Sequence, residues 1–303
     1  MVRREGLEPS CLAASDPKSG ASANSATFAK KPDKNNVLYL GVSIGHYENF
    51  PVASLLLPAP LRAPIEIIYR FARSADDFAD EGADPPEVRL RKLNDYRGQL
   101  AAPADPLLRD VAKIIREHEL PVALFADLLD AFSQDVTKKR YANFSEVLDY
   151  CRRSASPVGR LLLHLFKRTN DSNCRASDAI CSALQLINFW QDVDVDYAKD
   201  GRIYLPQDEM ARHGVTEEHI SRKICDSAWQ ALMKFQVDRT RKLMLSGADL
   251  GKVLPGRIGL EIRATVQGGL RILEKIERTG YDVFRRRPKL GAFDWPLVLL
   301  RAV

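Results

Sequence analysis

Cysteine is sparse and unpaired in pattern: Cys11, Cys151, Cys174, Cys181 and Cys225 form no CxxC pair and leave one over. That excludes a disulfide framework and a zinc knuckle, and it fits a reducing cytoplasm. Long hydrophobic runs are also missing. No stretch of 18 apolar residues occurs, which excludes an ordinary transmembrane helix. The shorter segments Val52 to Leu61 and Trp295 to Leu300 leave peripheral contact at the inner membrane face open beside their plainer reading as buried core. Nor is there an excess of one charge. The formal net charge is +5, and the basic first 36 residues account for two of those charges, so nothing calls for nucleic acid. Alternation of period two is scarce, and no GxGxxG follows a strand, so a Rossmann module is not expected.

What is present is helical periodicity. Apolar residues recur at three- and four-residue spacing through Ile65, Ile68, Tyr69 and Ala72, through Leu90, Leu93 and Leu100, and through Leu124, Leu128 and Leu129. Turn chemistry separates these blocks at 58–64, 82–86, 103–106, 201–206 and 254–259. The expectation is a single all-α domain over residues 37–303 of about ten helices, preceded by a disordered N-terminal extension over residues 1–36 rich in Ser, Ala, Lys, Pro and Asn. The two longest blocks, 175–196 and 217–246, would each span about 30 Å or more and could wall a deep cavity.

Two acidic motifs stand out. In YRFARSADDFADEG, Asp76 and Asp80 are four apart and share a helix face; Arg73 and Tyr69 lie on the same side, with Asp77 at its edge. In QLINFWQDVDVD, Gln185, Asn188, Asp192 and Asp196 form one stripe while Asp194 points the other way. Two helices that each present a carboxylate pair can face one another and hold Mg²⁺ through oxygen ligands, with Asn188 adding an amide oxygen. A lone acidic cluster is a weak signal, because such clusters are common on exposed helices; two in one helical chain are a stronger one.

These residues resemble the squalene and phytoene synthase family of isoprenoid synthases. Asp76 to Asp80 is similar to its first aspartate-rich motif, and Gln185, Asn188, Asp192 and Asp196 to its second. YCRRSASPVG (Tyr150 to Gly159) and RIYLP (Arg202 to Pro206) are similar to two further segments. The resemblance spans about His46 to Arg287 and implies a helical bundle around a central cavity. It also implies Mg²⁺ at Asp76, Asp80, Asn188, Asp192 and Asp196, and a prenyl diphosphate substrate. HYENFPVAS (His46 to Ser54), NFWQDV (Asn188 to Val193) and VQGGLRILEKIE (Val266 to Glu277) look like the hydroxysqualene-forming branch, which takes presqualene diphosphate. The condensing branches, which take farnesyl or geranylgeranyl diphosphate, often have Arg where this chain has Gln191 and Tyr near Gly269.

On that resemblance Arg73 and Arg202 are candidates for diphosphate contacts, with pairing to a neighbouring aspartate as the alternative. Phe50, Tyr69, Phe78, Tyr150, Phe189 and Tyr204 are candidates to line the site or stabilise a carbocation, with core packing as the alternative. Tyr150 is placed with the catalytic set. His46, Asn49 and Gln191 are further candidates to orient substrate or water. Association with neighbouring pathway enzymes is a further expectation.

Overall fold

The computed structural model describes residues 57–80 and 83–303. The expected N-terminal extension, and with it His46, Asn49 and Phe50, lies outside the described residues.

Among the described residues there are fourteen α-helices, one short 3-10 turn (Ala292–Asp294) and no strand. In chain order the helices are α1 (Ala59–Asp80), α2 (Pro86–Gly98), α3 (Pro106–His118), α4 (Val122–Thr137), α5 (Phe144–Ser154), α6 (Ser156–Leu165), α7 (Asp171–Gln191), α8 (Val193–Asp200), α9 (Gln207–Arg212), α10 (Glu217–Ser221), α11 (Ser227–Gly247), α12 (Leu250–Val253), α13 (Gly256–Arg278) and α14 (Trp295–Ala302). The number exceeds the sequence expectation partly because both long blocks are broken. The first breaks at Asp192, whose φ of −108° and ψ of 12° leave the helical region. Hydrogen bonds still pass through it, from its amide to the Asn188 carbonyl at 3.0 Å and from the Asp196 amide to its own carbonyl at 2.8 Å. Asp and β-branched Val are weak helix formers, and the run after Gln191 contains little else. The second breaks at residues 222–226, where Lys223 is left-handed (φ 57°) and Asp226 caps α11 by accepting from the Trp229 amide at 2.9 Å.

The apolar residues collect in two clusters. One is built from α1 to α4 with part of α6, around Phe71, Leu93, Leu108, Phe125 and Leu129. The other surrounds α7, with Trp190, Trp229, Met233, Val237 and Leu273 at its centre. Within it, the indole of buried Trp190 donates to Thr240 of α11 at 2.9 Å. Three neighbours reach α7 at positions without a side chain. A Cβ on Gly159 of α6 would stand 2.3 Å from Ser177 Oγ, one on Gly247 of α11 2.3 Å from the Ala176 carbonyl oxygen, and one on Gly269 of α13 2.6 Å from Met244 Cε and 3.1 Å from Ile187 Cδ1. Glycine is what lets these backbones approach so closely. No helix among the described residues is long and apolar enough to cross a membrane.

Candidate active site

A cavity of about 360 Å³ opens at the seam between the two clusters. From α1 it is lined by Ile65, Ile68, Tyr69, Ala72, Arg73 and Asp76, and from α7 by Ser177, Ile180, Cys181, Leu184, Gln185 and Asn188. The two sets have the same spacing, which is that of a single stripe down an α-helix. Each stripe begins apolar or small, becomes polar, and is followed four residues later by a carboxylate, Asp80 on α1 and Asp192 after α7. Leu250 and Leu254 of the α12 region and Ile258 and Ile262 of α13 add apolar wall. One end of the chamber therefore carries acids, an amide and a guanidinium, and the rest of its wall is mostly apolar, with Glu261 and Thr265 of α13 as polar members.

The RIYLP segment is held at the polar end. Gly201, with φ 73°, ends α8, and the chain then runs beside the connector that follows α4, with Ile203 donating to the Lys139 carbonyl at 3.0 Å and Gln207 to that of Tyr141 at 2.9 Å. This brings Arg202 into the interior, 7% exposed. Its guanidinium lies 2.8 Å from Asp200 and 3.5 Å from Asp80, and donates to the main-chain carbonyl of Asp135 at 2.9 Å and to the Tyr204 hydroxyl at 3.2 Å. Lys199 approaches Asp80 at 2.9 Å, so α1 and the end of α8 are joined through charge. Arg73 bridges Asp76 at 2.8 Å and half-buried Asp77 at 2.6 Å. Asp192 is clamped by Arg287 through two bonds, one of 2.7 Å, and Asp194, on the other side of α8, pairs with Lys223 at 2.9 Å.

Burial works against the remaining charge. Burial and the neighbouring Asp80 push Asp76 up to about 6, and burial and Asp192 push Asp196 up to about 7. Asp80 moves the other way: burial raises it, but Lys199 and Arg202 more than offset that. Among the described residues no three His, Cys, Asp or Glu side chains converge as a ready metal cluster. The donor set nevertheless fits a hard divalent cation, because Asp76 and Asp196 are half-buried carboxylates whose neighbouring cations do not offset their loss of solvent, with the amide of Asn188 in the cavity wall.

Of the residues singled out from the sequence, the structure brings Tyr69, Arg73, Asp76, Tyr150, Gln185 and Asn188 to the cavity wall, with Asp80, Asp196 and Arg202 grouped through charge at its polar end. Phe189, Gln191 and Tyr204 are not in the wall. Phe189 lies flat against Tyr204, ring centres 3.5 Å apart, and both pack near Tyr150. Gln191, 1% exposed, donates to the carbonyl of Pro288 and thereby holds the segment that carries Arg287. Phe78 makes an edge contact with Tyr96 in the first cluster. Gly269 is buried against side chains of α7 and α11.

Two buried acids were missed, Glu261 in the cavity wall and Asp135 beneath it. Asp135 accepts the hydroxyl of Tyr150 at 2.6 Å, and burial pushes it up to about 7. The sequence held a signal for it: Leu124, Leu128, Ala131 and Asp135 form one core-facing stripe of α4 in which the last place is an acid.

Comparison with known proteins agrees with this architecture. The family model for squalene/phytoene synthase matches residues 45–294. The hydroxysqualene synthase of Zymomonas mobilis is 34% identical over 248 residues, covering 80% of this chain and 83% of that one. The phytoene synthase of Cereibacter sphaeroides is 35% identical over 265 residues, covering 81% and 72%. Among solved structures, the squalene synthase HpnC from Alicyclobacillus acidocaldarius superimposes with a TM-score of 0.72 at 36% identity, covering 78% of this chain and 90% of that one.

Proposed function

The chain belongs to the squalene/phytoene synthase family, and from that premise we propose that it is a hydroxysqualene synthase, converting presqualene diphosphate and water to hydroxysqualene and diphosphate. The observation that carries the chemistry is the chamber itself: two carboxylate-bearing helices with charged residues at one end and mostly apolar walls elsewhere. Such a chamber suits a ligand with a polyanionic head and a hydrocarbon body. The choice of this branch is supported by the similarity to hydroxysqualene synthases, 34% identical over 80% of the chain in one case, and by the segments around Asn188 and Val266.

Arg73 and Arg202 would meet the diphosphate with planar guanidinium donors, each exchanging part of its present pairing with aspartate for phosphate oxygens. Asp76, Asp80, Asn188, Asp192 and Asp196 would hold Mg²⁺, which when bound supplies positive charge to offset that of the departing diphosphate. The apolar residues of α1, α7 and α13 would shield the cyclopropylcarbinyl carbon from bulk water, and Tyr69 and Tyr150, both in the wall, would offer aromatic rings to developing positive charge. Hydroxysqualene results when one water captures the rearranged cation and loses a proton.

The second reading is condensation of two prenyl diphosphates, favoured by the identity to phytoene synthase. Product analysis decides between them. The protein is incubated with Mg²⁺ and either presqualene diphosphate or farnesyl diphosphate, and hydroxysqualene is expected from the first alone. Turnover of farnesyl diphosphate without turnover of presqualene diphosphate would overturn the assignment. Asp80→Asn and Asp192→Asn are each expected to lower diphosphate release at least ~100-fold, in line with loss of an electrostatic catalytic group. Folded variants that release diphosphate at the wild-type rate would remove the metal from the proposal.

A further inference from the structure

The carboxylate of Asp135 is anomalous for a structural group. It is 5% exposed, Oδ2 accepts from Tyr150 at 2.6 Å, and Oδ1 is buried with no partner. The nearby cations do not pair with it: Arg202 at 2.9 Å and Lys139 at 3.3 Å both donate to its main-chain carbonyl. A buried carboxylate with one donor and an unsatisfied oxygen is destabilising, and an apolar residue or a fully bonded amide would serve packing better. Tyr150, its partner, lines the cavity and is enclosed by Tyr141, Phe189 and Tyr204. A phenol that spends its proton on a carboxylate keeps its oxygen lone pairs for another donor.

We propose that Asp135 is a positioning and proton-accepting residue for Tyr150, so that the pair takes up the proton released when the substrate cation is quenched. The proposal deepens the hydroxysqualene reading and rests on it for the source of that proton. In the step, the water oxygen forms a bond to the cationic carbon and one water O–H bond breaks. The proton passes to Tyr150 Oη as the phenolic proton passes to Asp135 Oδ2, leaving Tyr150 and Asp135 both neutral, and the alcohol. After product leaves, Asp135 loses the proton to solvent. The groups that face Asp135 are Asp76 and Asp80 from α1, Lys139 and Tyr141 from the connector after α4, Tyr150 from α5, and Arg202 and Tyr204 from the segment after α8. Burial, opposed in part by Arg202, lifts the acid's pKa to about 7, which suits a group that must take and return a proton near neutrality.

The test separates ionisation from quenching. Asp135→Asn keeps the shape, the main-chain carbonyl that holds Arg202, and an oxygen that can accept from Tyr150, but it cannot take the proton. With Mg²⁺ and presqualene diphosphate, single-turnover diphosphate release is expected to stay within ~3-fold of wild type. Alcohol formation should fall at least ~10-fold in kcat with KM within ~2-fold, inside the range for loss of acid–base assistance. In a Tyr150→Phe background the same substitution should cost nothing further, and formate should restore alcohol formation to Asp135→Ala. Equal slowing of both steps, a full additional cost in the Tyr150→Phe background, or failure of both Asp135 variants to fold would make the residue structural and overturn the proposal. The same variants are run on farnesyl diphosphate. If the wild type uses only that substrate, the hydroxysqualene reading fails, while the comparison of ionisation with product formation still decides the role of Asp135, because condensation also ends with loss of a proton.

Discussion

Asp76 and Asp196 make the residue scale measurable without substrate. Their pKa values are raised to about 6 and about 7, chiefly by burial. Between pH about 4 and about 7 the folded protein therefore holds protons that the unfolded chain has already released. Stability contributed by the neutral acids is present at low pH and is lost as pH rises through that window; Asp80, with a lowered pKa, acts in the opposite sense but only below it. In the absence of divalent cation, the melting temperature is expected to be lower at pH 8 than at pH 5.5 by a few degrees, each 1 kcal/mol being worth about 2–4 °C in a chain of this size. Mg²⁺ should raise it at pH 8 and have little effect at pH 5.5, since a cation competes with protons for the same oxygens. Equal stabilisation at both pH values, read by calorimetry, would place Mg²⁺ elsewhere. Substituting Asp196→Asn should remove much of the pH dependence.

At the scale of elements, α7 is the member that the other helices are fitted to. Gly247→Ala would set a Cβ 2.3 Å from the main-chain oxygen of Ala176, and neither backbone can yield without moving a helix. The expected cost is about 1–3 kcal/mol, the range for overpacking, with a corresponding fall in the denaturation midpoint. Gly159→Ala meets the Ser177 and Cys181 side chains instead, and because these are cavity-lining residues it should also raise KM. A second prediction concerns Gln191. Its side chain is buried and holds the Pro288 carbonyl, so Gln191→Arg would bury a guanidinium beside the Arg287–Asp192 pair. We expect destabilisation by about 3 kcal/mol, the scale for an uncompensated buried charge, and loss of diphosphate release rather than a gain of condensing activity. A stable Gln191→Arg variant that condenses farnesyl diphosphate would show that this position faces substrate after all.

For the whole molecule, helical class was legible because periods of three and four residues persist through most of the chain, and the two carboxylate stripes followed from the same geometry. The breaks at Asp192 and 222–226 were not, because apolar spacing continues across them while the backbone changes only locally. The counter-ions Lys199 and Arg287 were equally hidden, because they reach Asp80 and Asp192 from residues whose neighbourhood is set by folding. Asp135 was passed over because it sits apart from any acidic run, and its significance comes from Tyr150 on the next helix. The matched stripes of α1 and α7 have a consequence in length. From Asp76 back to Ile65, and from Asn188 back to Ser177, the wall spans eleven residue steps, or roughly 16 Å at the α-helical rise. The pair of helices is thus a gauge with its zero at the acids and its far stop at Ile65 and Ser177. Ile65→Ala should move the stop outward and shift preference toward longer prenyl chains, whereas a bulkier residue at Ser177 should shorten the scale.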